Sequence, residues 1–290
     1  MLCNACPRNC GVERTKDCGF CGVGENFVVA RAAKHFWEEP PISGKNGSGA
    51  VFFSGCNLRC AFCQNIEISR AEKGKEISDE RLKKIFDELI AAGAHNLNLV
   101  TATQYAEKLS VLLRDYKSKV PVVYNCGGYE KTETLKKLDG VIDVYLPDLK
   151  YISSERSMKY SKTFDYFENA SAAILEMRRQ QPEDIFDEDG LMKKGLIIRH
   201  LILPKNTNQS KLILDWIKDN LGTDTYISLM AQYTPCGEIE SLPELQRRIT
   251  AREYEKVVSY CEELGFKNVF VQDAESAEKS FIPDFDFTGV

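Results

Sequence analysis

No apolar run in this sequence approaches the roughly 20 residues a helix needs to cross a bilayer, so a membrane-spanning protein is not expected. The start, Met1-Leu2-Cys3-Asn4, lacks the basic and apolar regions of a secretory signal, and the chain reads as cytoplasmic. Positive charge is not in excess either. A net charge of −5 argues against a broad nucleic-acid-binding surface. Internal repeats and low-complexity stretches are absent, which sets aside solenoids and long linkers.

What is present is ordinary in bulk and unusual in one residue. Hydrophobic residues at 43% and charged residues at 28% suit a globular protein, and 290 residues fit one large α/β barrel. Cysteine stands out: there are eleven, eight of them within the first 63 residues. A secreted disulfide scaffold would be shorter and would not leave an odd count. Clustered cysteines at short spacing in a cytosolic chain point instead to metal.

The chain divides into a cysteine-rich metal-binding segment with its connector, 1–48, and a partial barrel, 49–290. Between residues 3 and 24 the few apolar residues show no sustained period, so metal is expected to hold that segment together. The connector, with Glu38-Glu39-Pro40-Pro41 and the Gly/Ser stretch 43–49, reads as loop. From there strands are expected at 50–54, 96–100, 120–124, 141–146, 196–203, 226–230 and 269–271. Helices are expected at 78–92, 104–117, 131–138, 154–160, 166–180, 210–220 and 250–264. Ser78 is a candidate N-cap. Such alternation means an α/β fold with a parallel sheet and helical crossovers. Too few units are present for a closed eightfold barrel, so a partial (β/α)6-type barrel is expected. The tail, with Phe281, Phe285 and Phe287, is expected to pack along the barrel rather than hang free as a docking segment.

Directly after the first apolar strand comes Gly55-Cys56-Asn57-Leu58-Arg59-Cys60-Ala61-Phe62-Cys63-Gln64-Asn65. The spacing is C-x3-C-x2-C. Three thiolates bind three irons of a four-iron cluster and leave the fourth iron open, whereas an electron-transfer cluster carries four cysteines. The bland alternatives are a zinc knuckle or three buried cysteines. The triplet, with Phe62 before its third cysteine, resembles the signature of the radical S-adenosylmethionine (SAM) superfamily, and the resemblance runs from the triplet to the last strand. It implies a [4Fe–4S] cluster on Cys56, Cys60 and Cys63 as the catalytic centre. It further implies SAM bound through its amino and carboxylate groups at the open iron, and a 5′-deoxyadenosyl radical that abstracts hydrogen from a substrate.

Phe62 and Asn65 flank that centre. Many members of the superfamily carry Gly-Gly-Glu after the second strand; here Thr101-Ala102-Thr103-Gln104 stands in its place. The hydroxyls of Thr101 and Thr103 are candidates to accept from the SAM ammonium, or simply to cap the next helix. Leu146-Pro147-Asp148-Leu149-Lys150 resembles the Asp-Leu-Lys element of the glycyl-radical-enzyme activases, which implies Asp148 and Lys150 at the cofactor. Arg199 and His200 lie in an apolar strand and point to opposite faces. An interior Arg199 would grip a carboxylate or ribose, and His200 has the weaker claim. Asn125 and Gln272, at strand ends, are further candidates for the same mouth.

At the N-terminus Cys3, Cys6, Cys10, Cys18 and Cys21 offer more ligands than one metal needs. Two C-x2-C pairs would hold zinc and leave Cys10 free; alternatively Cys3, Cys6, Cys10 and Cys21 form the site and Cys18 is extra. An auxiliary zinc and a second iron–sulfur cluster fit equally. The segment from Cys3 to Val12 resembles an uncharacterised branch near the pyruvate formate-lyase activating enzymes, which implies ligands at 3, 6, 10 and 21. That branch implies activation of a glycyl radical enzyme by glycine hydrogen abstraction. The electron donor would be a flavodoxin or ferredoxin. The rivals are a radical enzyme acting on a small molecule or peptide and a non-catalytic iron–sulfur redox or sensor protein.

Overall fold

A computed structural model describes residues 2–271 and 283–290. The strands are β1 (Phe27–His35), β2 (Ser48–Phe53), β3 (Lys75–Ile77), β4 (Leu97–Val100), β5 (Val122–Cys126), β6 (Val144–Pro147), β7 (Ile185–Phe186), β8 (Met192–Leu201), β9 (Tyr226–Met230) and β10 (Val269–Val271). The helices are α1 (Pro40–Ser43), α2 (Ile66–Ser69), α3 (Asp79–Ala91), α4 (Ala106–Tyr116), α5 (Thr132–Leu135), α6 (Ser154–Ser161), α7 (Tyr166–Gln180), α8 (Thr207–Leu221) and α9 (Ala251–Glu263).

All seven strands expected from the apolar runs are present, and they lie side by side in parallel in the order β2-β4-β5-β6-β8-β9-β10. The sheet continues past β2 into antiparallel β1 and then β3, and does not close on β10. This is a partial α/β barrel. Period-two alternation sorts the side chains. Leu97, Leu99, Tyr124, Ile198 and Leu229 point outward and are buried under Leu82, Phe86, Leu109, Ile174 and Ile213 of the helices. Val123, Val144, Leu146 and Ile197 point inward. Ser78 caps α3 by accepting from the Arg81 amide, and Thr250 with Glu253 forms a capping box on α9.

The stretch read as a loop connector is not one. It contains the nine-residue β1 and the one-turn α1. Alanines 30, 32 and 33 weaken the β signal of β1, and a register shift between Val29 and Arg31 interrupts its alternation. Pro40 looks like a breaker but occupies the first turn of α1, where no amide donor is missed. Between the two elements the chain crosses into the barrel. Ile42 is fully buried against Val123, Val144, Leu146 and Ile197 and fills the lumen floor.

The tail packs as expected over the described residues. The Phe287 amide donates to Ala30 O at 3.1 Å and the Ala32 amide to Thr288 O at 2.8 Å, while Phe285 meets Phe52 edge-on. Phe281 and Gln272 lie outside the described residues. No helix among the described residues is long and apolar enough to cross a membrane.

Candidate active site

The loop after β2 turns at Gly55, whose φ of 84° is open to glycine and strained for other residues. A Cβ there would stand 2.7 Å from the Cys21 carbonyl oxygen. The loop then presents Cys56, Cys60 and Cys63 to a cavity of about 260 Å³ at the C-terminal ends of the strands, where parallel α/β folds build their sites. Phe62, Asn65, Thr101, Thr103, Asn125, Asp148, Lys150 and Arg199 line the same cavity. Eleven sequence-derived candidates thus converge on one place.

The three sulfurs sit among donors. The Leu58 amide donates to Cys56 Sγ at 3.4 Å, and the Ser161 hydroxyl donates to Cys60 Sγ at 3.0 Å. Ser69 and the Asn65 amide do the same for Cys63. Burial pushes the Cys56 thiol up to about 12, the neighbouring sulfurs add to this, and Lys150 opposes it. A metal that supplies positive charge would reverse that balance and hold the thiolates. Phe62 packs edge-on against Tyr160 and Tyr233, which fixes the loop from behind.

Deeper in the lumen lies a charge network. Arg199 donates to Asp148 Oδ1 at 2.9 Å, to Glu38 Oε2 at 3.2 Å and to Asn125 Oδ1 at 2.6 Å. Asn98 and Asn125 both donate to Glu38 Oε1, at 3.0 and 3.1 Å. Lys150 forms an ion pair with the other oxygen of Asp148. Burial alone would raise Asp148, but Arg199 and Lys150 outweigh it and hold the carboxyl below its ordinary range. Burial pushes the Glu38 carboxyl upward against the pull of Arg199. Sequence reading missed Glu38 because the connector carried no periodicity to place it. The usable signal was an acid pair directly before Pro-Pro, following an apolar stretch.

His200 does not belong to this cavity, which corrects its assignment to the cofactor. It faces outward, with Nδ1 2.7 Å from Leu149 O and Nε2 2.8 Å from Ser210 Oγ. Burial lowers it to about 4, so it is a neutral core histidine. Thr101 has a φ of 59° and its carbonyl is held by the Gln104 amide, which also donates to Ser54 O and Gly55 O. That side chain ties the turn after β4 to the cysteine loop. Thr103 donates to Glu130 at 2.5 Å, and Tyr124 donates to the other carboxylate oxygen at 3.1 Å. Burial raises Glu130 to about 7. Gln104 and Glu130 were not foreseen, since one reads as helix and the other as loop.

The N-terminal cysteines lie beside the cysteine loop. Cys3, Cys6, Cys10 and Cys21 neighbour one another, and Cys18 is exposed. Cys261 is core. Cys126 lines the cavity next to Gly127, and Cys236 Sγ is 3.5 Å from Phe62 O.

Comparison with known proteins now decides the family. Residues 50–185 match the Radical SAM superfamily. That stretch of the chain is a radical SAM superfamily domain. It is also 30% identical over 279 residues to an uncharacterised protein of Methanocaldococcus jannaschii, covering 92% of this chain and 76% of that one. Among solved structures, the fold resembles methylornithine synthase (TM-score 0.51, 14% identity), covering 74% of this chain and 68% of that one. It likewise resembles Streptococcus suis SuiB in complex with its precursor peptide SuiA (TM-score 0.50, 15% identity), covering 75% of this chain. The chain spans less than half the length of SuiB, 46%. Membership of the superfamily implies SAM cleavage with an iron–sulfur cluster. The donor set fits that group: three thiols on one loop, each met by a hydroxyl or amide and all open to one cavity, which Cys126 also lines from the end of β5.

Proposed function

We propose that this protein is a radical SAM enzyme that binds a [4Fe–4S] cluster through Cys56, Cys60 and Cys63 and abstracts hydrogen from a glycine of a partner polypeptide. When bound, the cluster supplies the electron that splits SAM into methionine and a 5′-deoxyadenosyl radical. The observation that carries the reading is the convergence of the three thiols with Asp148, Lys150 and Arg199 on one cavity. Thr101 and Thr103, on the turn after β4, offer acceptors for the SAM ammonium. Lys150 and Arg199 offer cationic donors to its carboxylate and ribose, and Asp148 holds both in position. Phe62 and Leu58 keep water from the cysteine loop.

Support for a polypeptide substrate comes from the rim. Trp37 lines the cavity and is 59% exposed, and neighbouring Phe36 is 47% exposed. Apolar surface beside an open barrel suits a protein or peptide better than a small polar metabolite. The electron donor in this reading is a flavodoxin or ferredoxin.

The test uses anaerobic, iron-reconstituted protein with dithionite and SAM, quantifying 5′-deoxyadenosine. The wild type should form it and the Cys56→Ala/Cys60→Ala/Cys63→Ala variant should not. No product from wild type with confirmed, reducible iron and a glycyl radical enzyme present would overturn the reading in favour of a redox or sensor protein. With a glycyl radical enzyme added, a glycyl radical should appear by electron paramagnetic resonance. Cleavage stimulated only by a metabolite pool would replace the polypeptide with a small molecule.

A further inference from the structure

The three-cysteine site leaves the N-terminal cysteines unexplained, and their geometry is organised. Cys3 is held in a short hairpin, its amide donating to Val12 O at 2.8 Å and its carbonyl accepting from Gly11 at 2.9 Å. That pairing returns the chain to Cys10. A tight turn closes from Asn9 N to Cys6 O at 3.1 Å, and another from Gly22 N to Gly19 O at 2.9 Å. Gly19 faces two sulfurs at once: a Cβ there would lie 3.5 Å from Cys10 Sγ and 3.7 Å from Cys21 Sγ. The Phe20 amide donates to Cys10 Sγ at 3.3 Å, the Arg8 backbone bonds to Cys6, and Cys21 Sγ donates to the Val23 carbonyl at 3.9 Å. Leu58 and Asn65 serve Cys56 and Cys63 as Arg8 serves Cys6, each lying two residues after its cysteine.

The ligand-bearing turns also hold the cysteine loop. Arg8, between Cys6 and Cys10, donates to Asn57 O at 2.8 Å and Ser161 O at 3.3 Å. Arg59, between Cys56 and Cys60, donates back to Phe20 O at 2.8 Å. Both guanidiniums lie over the Phe20 ring, at 3.9 and 5.0 Å. Four neighbouring thiols, those of Cys3, Cys6, Cys10 and Cys21, are the complement that a closed four-iron cluster takes.

We propose that Cys3, Cys6, Cys10 and Cys21 bind a second iron–sulfur cluster, with Cys18 excluded, and that the loaded segment clasps the loop carrying Cys56, Cys60 and Cys63. All four ligands come from protein, so this site is closed and structural in kind, unlike the three-thiol site.

The experiment counts metal, and so is independent of SAM cleavage. The Cys56→Ala/Cys60→Ala/Cys63→Ala variant, reconstituted anaerobically, should retain about four irons and four sulfides per chain, and the wild type about eight irons. Adding Cys6→Ala and Cys10→Ala to that variant should remove them, while adding Cys18→Ala should not. With the triplet intact, Cys6→Ala/Cys10→Ala should release the remaining iron to a chelator roughly tenfold faster than wild type, because its clasp is loose. One zinc per chain, or only four irons in the wild type, overturns the cluster. Loss of iron with Cys18→Ala overturns the ligand set, and unchanged release overturns the clasp. If the cysteine variants do not fold, the wild-type count alone decides between the outcomes.

Discussion

On β8, Arg199 turns into the barrel and His200 turns out toward α8, one residue apart and in opposite chemical worlds. Inside, Arg199, Asp148, Glu38 and Lys150 are all half-buried and all have charged partners. Outside, His200 stays neutral between a carbonyl and a serine, and Glu130, behind Thr103, is raised to about 7 by burial. The inner face offsets burial by pairing, enough to hold the Asp148 carboxyl below its ordinary range though not that of Glu38; the outer layer keeps its titratable groups close to neutral by desolvating them. A cavity built to meet a zwitterionic cofactor needs the first arrangement, and a helix-packed layer tolerates only the second.

The largest way to break this contrast is Arg199→Ala. It strands Glu38 and Asp148 in the lumen, and urea unfolding at pH 7 should show a loss of about 3–5 kcal/mol. A loss near zero would mean that pairing is not what keeps the inner charges. Next comes acid. His200 is lowered to about 4 from an ordinary 6.5, so its stabilisation is full above pH 6.5 and is lost as pH falls through 4. Its share is about 3 kcal/mol, and His200→Gln should flatten the melting curve over that window. Glu130 has the opposite sign. Raised to about 7 from 4.5, it contributes fully below pH 4.5 and loses that contribution as pH rises through 7. Glu130→Gln should therefore be the more stable protein at pH 8, by about 2 kcal/mol, and wild-type superiority there would show that the carboxylate is welcome. The smallest change is Glu38→Gln, which keeps an acceptor for the two asparagines but removes a charge. It should cost about 1–2 kcal/mol and leave the fold intact by circular dichroism.

What sequence reading reached, and what it missed, follows from the range of the forces involved. Strands covered on both faces are apolar runs, so all seven parallel strands were visible locally. The cysteine triplet was visible because its ligands lie within eight residues, and Arg199 was placed inward by simple alternation. Glu38 was invisible because its partner is 161 residues away. The alanines of β1 hid a strand whose existence depends on pairing with β2. Glu130 and Gln104 reveal themselves only once β5 and the turn after β4 are neighbours. His200 was placed on the opposite face from Arg199, yet only the position of Ser210 shows why it does no chemistry there.

The thread from β1 into the lumen also bears on the order in which the chain can be completed. Glu38 leaves the ribosome long before Arg199, and Ala32 before Thr288, whose carbonyl it binds across 256 residues of sequence. At a synthesis rate of about 5–20 residues per second, the acid of the lumen waits on the order of ten seconds for its guanidinium. The stretch around Glu38 is thus made early and secured late, and a nascent chain would leave that acid without its guanidinium until β8 arrives.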